Sequence, residues 1–167
     1  MIKICFVDED GRFGGPQVRM IETFKKVERK KFKITFLIPK KINIFKKKLL
    51  KLKAPIDQIN LSILSSKFRF LIKYIFFFPK ELFTLVRYFK NNKFDIIQAN
   101  GAPHFKTIIA ARIANIPSIW ILEDTFAPKI LVLIFQFIAN LFNPKIVYIS
   151  KRVFNFYLKE IVNTLCA

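Results

Sequence analysis

Cysteine, histidine, acidic residues and long apolar runs are all scarce in this 167-residue chain. The two cysteines, Cys5 inside the first apolar run and Cys166 near the end, form no metal or redox spacing and no disulfide framework, which leaves them as reduced thiols. The longest uncharged apolar run, "ILVLIFQFIANLF" (Ile130 to Phe142), is shorter than the roughly 20 residues a helix needs to cross a bilayer. At the N-terminus the run Ile4 to Val7 meets Asp8, Glu9 and Asp10 at once, so there is no room for a signal-peptide core and the chain is expected to stay in the cytoplasm. No zinc spacing, RNP-type aromatic pattern or basic coiled-coil region occurs, which makes nucleic acid the weaker partner.

What is present is apolar and basic. Hydrophobic residues make up 53% of the chain, with Phe at 21 positions, too many for disorder; the 25% of charged residues, spread along the length, argue against a membrane-embedded bundle. A chain of this length is most simply one domain, residues 1–167, with no internal repeat or low-complexity linker.

The net charge of +19 implies attraction to phosphates, whether of nucleic acid, anionic lipid or a phosphorylated ligand. Two readings of it stand. One is composition alone, since a chain rich in Lys, Ile, Phe and Asn looks like the product of an AT-rich genome. The other is placement: "KKINIFKKKLLKLK" (Lys40 to Lys53) and "KFRFLIKYIFFFPKELFTLVRYFK" (Lys67 to Lys90) interleave basic and large apolar side chains. That pattern suits helices lying on an anionic membrane surface, with ammonium heads at the phosphates and apolar bodies in the acyl boundary.

Periodicity predicts alternating elements. Strands are expected at Ile2 to Val7, Phe32 to Ile38, Ile59 to Leu64, Phe94 to Asn100, Ser118 to Leu122 and Lys145 to Ser150. Helices are expected at Pro16 to Val27, Asn43 to Lys53, Lys67 to Asn91 with an interruption at Pro79, Lys106 to Asn115, Ile130 to Leu141, and Lys151 to about Leu165. Strands apolar on both faces and separated by helices indicate a doubly wound, Rossmann-like α/β domain with a mainly parallel sheet.

Ligands of such sheets sit beyond the carboxyl ends of the strands. The residues there are Asp8 to Pro16 after the first strand, Asn100 to His104 after the fourth, Glu123 to Phe126 after the fifth, and Ser150 to Arg152 after the sixth. In the first loop Gly11, Gly14 and Gly15 do not fit G-x-G-x-x-G and no Walker lysine follows, so a nicotinamide cofactor is not supported. The Gly14-Gly15-Pro16 sequence suits a helix start, where free N–H groups can receive a phosphate or a sugar hydroxyl and glycine permits close approach. A tight turn without a ligand is the alternative.

"GRFGGPQVRM", "FDIIQANGAPH", "IPSIWILEDTF" and "IVYISKRVFNFYL", in that order at successive strand ends, resemble the N-terminal domain of a family-4 glycosyltransferase of the GT-B fold, over nearly the whole chain. The resemblance implies one of two Rossmann-like domains closing on a cleft. It also implies sugar transfer from a nucleotide-sugar, as co-substrate, to a lipid-linked, glycan or small-molecule acceptor in cell-envelope polysaccharide synthesis, with no metal held by a D-x-D motif and no cofactor. By the same resemblance Gly14, Gly15 and Arg19 face the donor diphosphate, Asn100 and Gly101 line the acceptor side, and Ser150 and Lys151 approach the cleft. Glu123 stands where many relatives place a histidine, and Asp124 keeps the acidic partner. His104, the single histidine, is a candidate acid–base group, although a lone histidine is more often a polar loop residue; Ser150 reads equally as a helix N-cap.

Relatives continue into a second domain that binds the nucleotide with a basic pair and an E-x7-E motif, and no such motif occurs here, so the expectation is either a fragment or truncated gene product, or a separate chain that supplies the donor half. The resemblance places the basic helices against the inner face of the membrane; for Lys67 to Lys90 the other reading is a solvated lysine-rich helix that packs its Phe residues into the core. The alternative is a non-catalytic, basic Rossmann-like protein that binds anionic lipid or nucleic acid.

Overall fold

Strands and helices alternate throughout the computed structural model, which describes residues 1–9, 12–40, 44–64 and 68–157. The order is β1 (Ile2–Val7), α1 (Gly15–Lys26), β2 (Phe32–Pro39), α2 (Ile44–Lys51), β3 (Ile56–Ile59), α3 (Phe68–Asn92), β4 (Ile96–Asn100), α4 (Phe105–Ile113), β5 (Ser118–Leu122), α5 (Lys129–Phe142) and β6 (Lys145–Tyr148). Residues 151–157 add a helical segment, α6. All six strands join one parallel sheet in the order β3-β2-β1-β4-β5-β6, the doubly wound arrangement that the alternation predicts. The direction of winding reverses between β1 and β4, which opens a crevice at their carboxyl ends.

Side chains alternate across each strand, so each face of the sheet has its own core. On one face Phe6, Ile34, Phe36 and Ile38 pack under Met20, Ile21 and Phe24 of α1 and Phe45 and Leu49 of α2. On the other, Cys5, Val7, Leu37 and Ile97 meet Leu85 and Phe89 of α3 and Ala110 and Ala111 of α4. Further along that second face Trp120 and Leu122 pack against Phe135 and Ile138 of α5 and against Val153 and Tyr157 of α6. Burial pushes the Cys5 thiol well above its usual range, as befits an inert core cysteine.

Three predicted boundaries are corrected. The third strand is Ile56–Ile59 rather than the apolar stretch from Ile59 to Leu64. Its exposed centre is polar because Gln58 donates to the carbonyls of Pro39 and Lys40, while Leu61 and Leu64 pack against the core from a connector. Next, α3 runs 25 residues without interruption at Pro79. Pro79 and Ile75 both lie on the exposed side of α3, where a carbonyl that loses its intrahelical donor has access to water, so the missing bond costs little. Finally, α1 begins at Gly15, which puts Pro16 second in the helix, still in the first turn where its missing N–H is harmless. Gly11, the predicted start of α2 at Asn43, the start of α3 at Lys67, the end of the last helix and Cys166 lie outside the described residues.

Candidate functional site

Polar side chains are rare in the interior, and they gather at the carboxyl edge of the sheet around the β1–β4 crevice. Asp8, Glu9, Gln17, Asn100, His104, Lys106 and Thr107 are all buried. Asp8 and Glu9 leave β1, Asn100 ends β4, and His104, Lys106 and Thr107 form the start of α4.

The glycine loop is fastened at both ends. At its far end the Gly14 N–H donates to Gln17 Oε1 at 2.9 Å, and Gln17 Nε2 donates to Asp8 Oδ1 at 3.2 Å. At its near end the Glu9 N–H donates to His104 Nε2 at 3.1 Å. The Glu9 carboxylate accepts from the Thr107 N–H at 3.1 Å and from its hydroxyl at 2.7 Å, with Lys106 Nζ 3.6 Å away. Lys106 is wholly buried; it donates to Glu81 Oε2 and to the Ser62 carbonyl, each at 2.7 Å, and sits 4.2 Å from the Tyr74 ring centroid. Glu81 in turn accepts from the Ser62 N–H and hydroxyl. Burial, with the Glu9 and Glu81 charges adding to it, raises the Tyr74 hydroxyl well above its ordinary range.

Neither glycine of the Gly14–Gly15 pair is required by the backbone. Gly14 is extended, with φ −157°, and a Cβ there would meet nothing closer than 3.7 Å; one on Gly15 would meet nothing within 4 Å. Gly101 differs. Its φ of +95° lies in the left-handed region, and a Cβ would come within 3.5 Å of His104. Replacing Gly101 with alanine should therefore cost about 1–3 kcal/mol, measurable as a shift in the urea midpoint, whereas Gly14→Ala should leave the midpoint almost unmoved.

Among the other residues singled out by sequence, Arg19 and Glu123 pair across the sheet end, joining α1 to the loop after β5. Burial raises the Glu123 carboxyl above the ordinary glutamate range, opposed by the Arg19 guanidinium beside it. Asn100 Oδ1 accepts from Gln98 Nε2 at 3.1 Å. Both Asn100 Nδ2 and Arg19 Nε are buried without an acceptor among the described residues. Gly101 gives its carbonyl to His104 Nδ1 and to Trp120 Nε1. Asp124 Oδ1 receives the Phe126 N–H in a local turn, and Ser150 Oγ receives the Val153 N–H as a cap of α6, with Lys151 exposed beside it. A concavity of about 580 Å³ lies between this turn and α6, lined by Thr125, Arg152, Asn155 and Phe156.

Sequence reasoning points to the edge where the buried polar side chains gather and misses much of what organises it. Glu9, Gln17, Lys106 and Thr107 were not singled out. The acidic run after β1 was the available signal for Glu9; Lys106 is one of 30 basic residues, and its burial has no local mark.

The basic apolar helices separate onto opposite faces. Phe45 and Leu49 of α2 are buried against the face that carries α1, while Ile44 and Leu50 are exposed, so α2 turns aliphatic but no aromatic side chains outward. On the other face α3 exposes a stripe of Arg69, Lys73, Phe76, Lys80, Phe83 and Arg87, spaced three or four residues apart. Its one acidic residue, Glu81, is turned inward to Lys106. On the same face α5 exposes Ile130, Phe137 and Leu141 beside an apolar groove of about 520 Å³. Among the described residues no helix is long and apolar enough to cross a membrane, and no His, Cys, Asp and Glu cluster could hold a metal.

Fold and edge together define a Rossmann-like half of the kind that GT-B structures contain. MurG from Acinetobacter baumannii superposes with a TM-score of 0.67 at 16% identity, over 92% of this chain and 42% of that one. A glycosyltransferase from Rickettsia africae gives 0.58 at 16% identity, over 89% and 42%, and a putative UDP-N-acetylglucosamine 2-epimerase from Listeria monocytogenes gives 0.62 at 14%, over 95% and 42%. The chain therefore spans about two fifths of the length of these solved structures. No family model and no curated protein matches the sequence.

Proposed function

We propose that this chain is the N-terminal, acceptor-side half of a family-4-like glycosyltransferase, which works with a donor-binding domain to move a sugar from a nucleotide-sugar to a lipid-linked or glycan acceptor in cell-envelope polysaccharide synthesis. One observation carries the reading: buried polar side chains converge on the β1–β4 crevice beneath a glycine pair that the backbone does not need, and two buried donors there, Asn100 Nδ2 and Arg19 Nε, have no acceptor among the described residues. Donors left in that state are costly unless the oxygen of a water or a ligand satisfies them. Gly14 and Gly15 let a diphosphate approach the start of α1, Asn100 and Gly101 line the acceptor side, and Glu123 with Asp124 supplies acid–base chemistry. The raised Glu123 carboxyl suits proton transfer, since a group whose affinity for protons lies nearer neutrality both gives and takes them more readily. Ser150 and Lys151 stand at the margin toward the second domain. No metal or cofactor enters this scheme. The exposed stripes of α3 and α5 hold the domain on the inner face of the cytoplasmic membrane, near a lipid-linked acceptor.

Amide chemical-shift mapping on the isolated chain tests this, with nucleotide-sugars, lipid-linked oligosaccharides in detergent and free glycans as probes. Shifts should cluster at residues 12–19, 100–104 and 123–126. Shifts scattered over the surface, or none with any probe, would overturn the transferase reading. If anionic vesicles bind while the edge stays silent, the non-catalytic lipid-binding reading takes its place. Gly15→Val should abolish transfer in a preparation reconstituted with a donor-binding domain while thermal stability is kept, because the added side chain enters open space in the protein; normal turnover would remove the loop from the site.

A further inference from the structure

We infer that His104 is a positioning residue, a neutral imidazole that clamps the start of the glycine loop rather than exchanging protons with a substrate. Both ring nitrogens are committed to the backbone. Nε2 faces the Glu9 N–H at 3.1 Å, and because that group can only donate, Nε2 must carry the lone pair. The proton then resides on Nδ1, which donates to the Gly101 carbonyl at 3.2 Å. That carbonyl also accepts from the Trp120 indole at 2.8 Å, and the Gly101 amide donates to the Ile121 carbonyl at 2.7 Å. The left-handed conformation of Gly101 is thus held from several directions, and it presents a fixed acceptor to His104.

Glu9 is gripped at its other end by the same turn of α4, through Thr107 and Lys106. The first turn of α4 therefore sets both the backbone and the side chain of the residue from which the loop departs. A proton added to Nε2 would point at the Glu9 N–H, and two donors cannot bond, so the clamp exists only in the neutral ring. Among the described residues the charged groups around the ring are Asp8 and Glu9 leaving β1, Lys106 of α4, and Glu123 after β5 with Arg19 of α1 beside it. This role rests on the proposed function only in that the loop is the part worth positioning.

The test needs no sugar. His104 is the single histidine, so long-range 1H–15N spectra of the wild-type ring need no assignment. At about pH 8, where an ordinary histidine is neutral, the Nδ1–H tautomer with a bare, accepting Nε2 is expected. Exchange of the Glu9 amide should be at least about tenfold faster in His104→Ala. His104→Gln, whose side-chain oxygen can accept the same N–H, should restore most of the protection. The Nε2–H tautomer, or equal Glu9 protection in wild type and His104→Ala, would overturn the proposal. Should His104→Ala fail to fold, the wild-type tautomer and the Glu9 exchange rate in His104→Gln decide it. A clamp intact in these spectra, with no ligand shifts at the sheet edge, would keep this role and remove the transferase reading.

Discussion

Lys106→Met is expected to destabilise the fold by about 3–5 kcal/mol, the cost of leaving buried carboxylates without their counter-ion. Lys106 has no exposed surface, and it is shared between Glu81 at 2.7 Å and Glu9 at 3.6 Å, whose side chains are themselves 12% and 6% exposed. Methionine fills similar space and packs against Tyr74, so cavity formation is a small part of the effect. Total stabilities of domains this size are of order 5–15 kcal/mol, so the variant should lose a large part of its urea midpoint. The double variant Lys106→Met with Glu81→Gln isolates the electrostatic part: removing one stranded carboxylate should recover a substantial share. A midpoint change under about 1 kcal/mol in the single variant would mean that the ammonium is not the centre of this cluster.

The second large effect concerns binding. Changing Phe76, Phe83 and Phe137 together to serine should reduce partitioning onto anionic vesicles by at least about 100-fold, since each buried aromatic body is worth about 1.5–3 kcal/mol of transfer. These rings are 76%, 69% and 67% exposed, so the melting temperature should stay close to wild type. Neutralising Lys73, Lys80 and Arg87 should weaken binding by about 1 kcal/mol per residue, and added salt should mimic the loss. Flotation with vesicles of anionic and of zwitterionic lipid measures both. Equal recovery of the aromatic triple variant and wild type would remove α3 and α5 from the surface. Binding lost only through changes in α2 would relocate it to the opposite face of the sheet.

Much of the architecture was legible along the chain because its determinants are local. Runs such as "IKICFV" and "FDIIQAN" are apolar on both sides of a strand, which is the mark of a strand covered by helices on both faces, and the parallel sheet follows. Glycine and proline marked the loop before α1 in the same way. The failures were local conflicts settled by distant neighbours. The third strand hid behind Asp57 and Gln58, which are polar because they serve an edge; the Asp57 carboxylate accepts from the Tyr88 hydroxyl on α3. Pro79 reads as a helix break, yet it lies on the exposed side of α3, where the helix continues through it.

Residue types and their short-range periods therefore determined by themselves the class of fold, the position of the loops at strand ends, and the surplus of positive charge. The tertiary structure alone decided which loops are neighbours, which basic helix turns its aromatics outward, and which charges are spent inside. The reason is distance along the chain. Thr107 and Glu9 lie 98 positions apart, and Glu81 is 25 positions from Lys106; no local pattern records such a pair, because its energy exists only once the sheet has closed β1 against β4 and excluded water from the crevice.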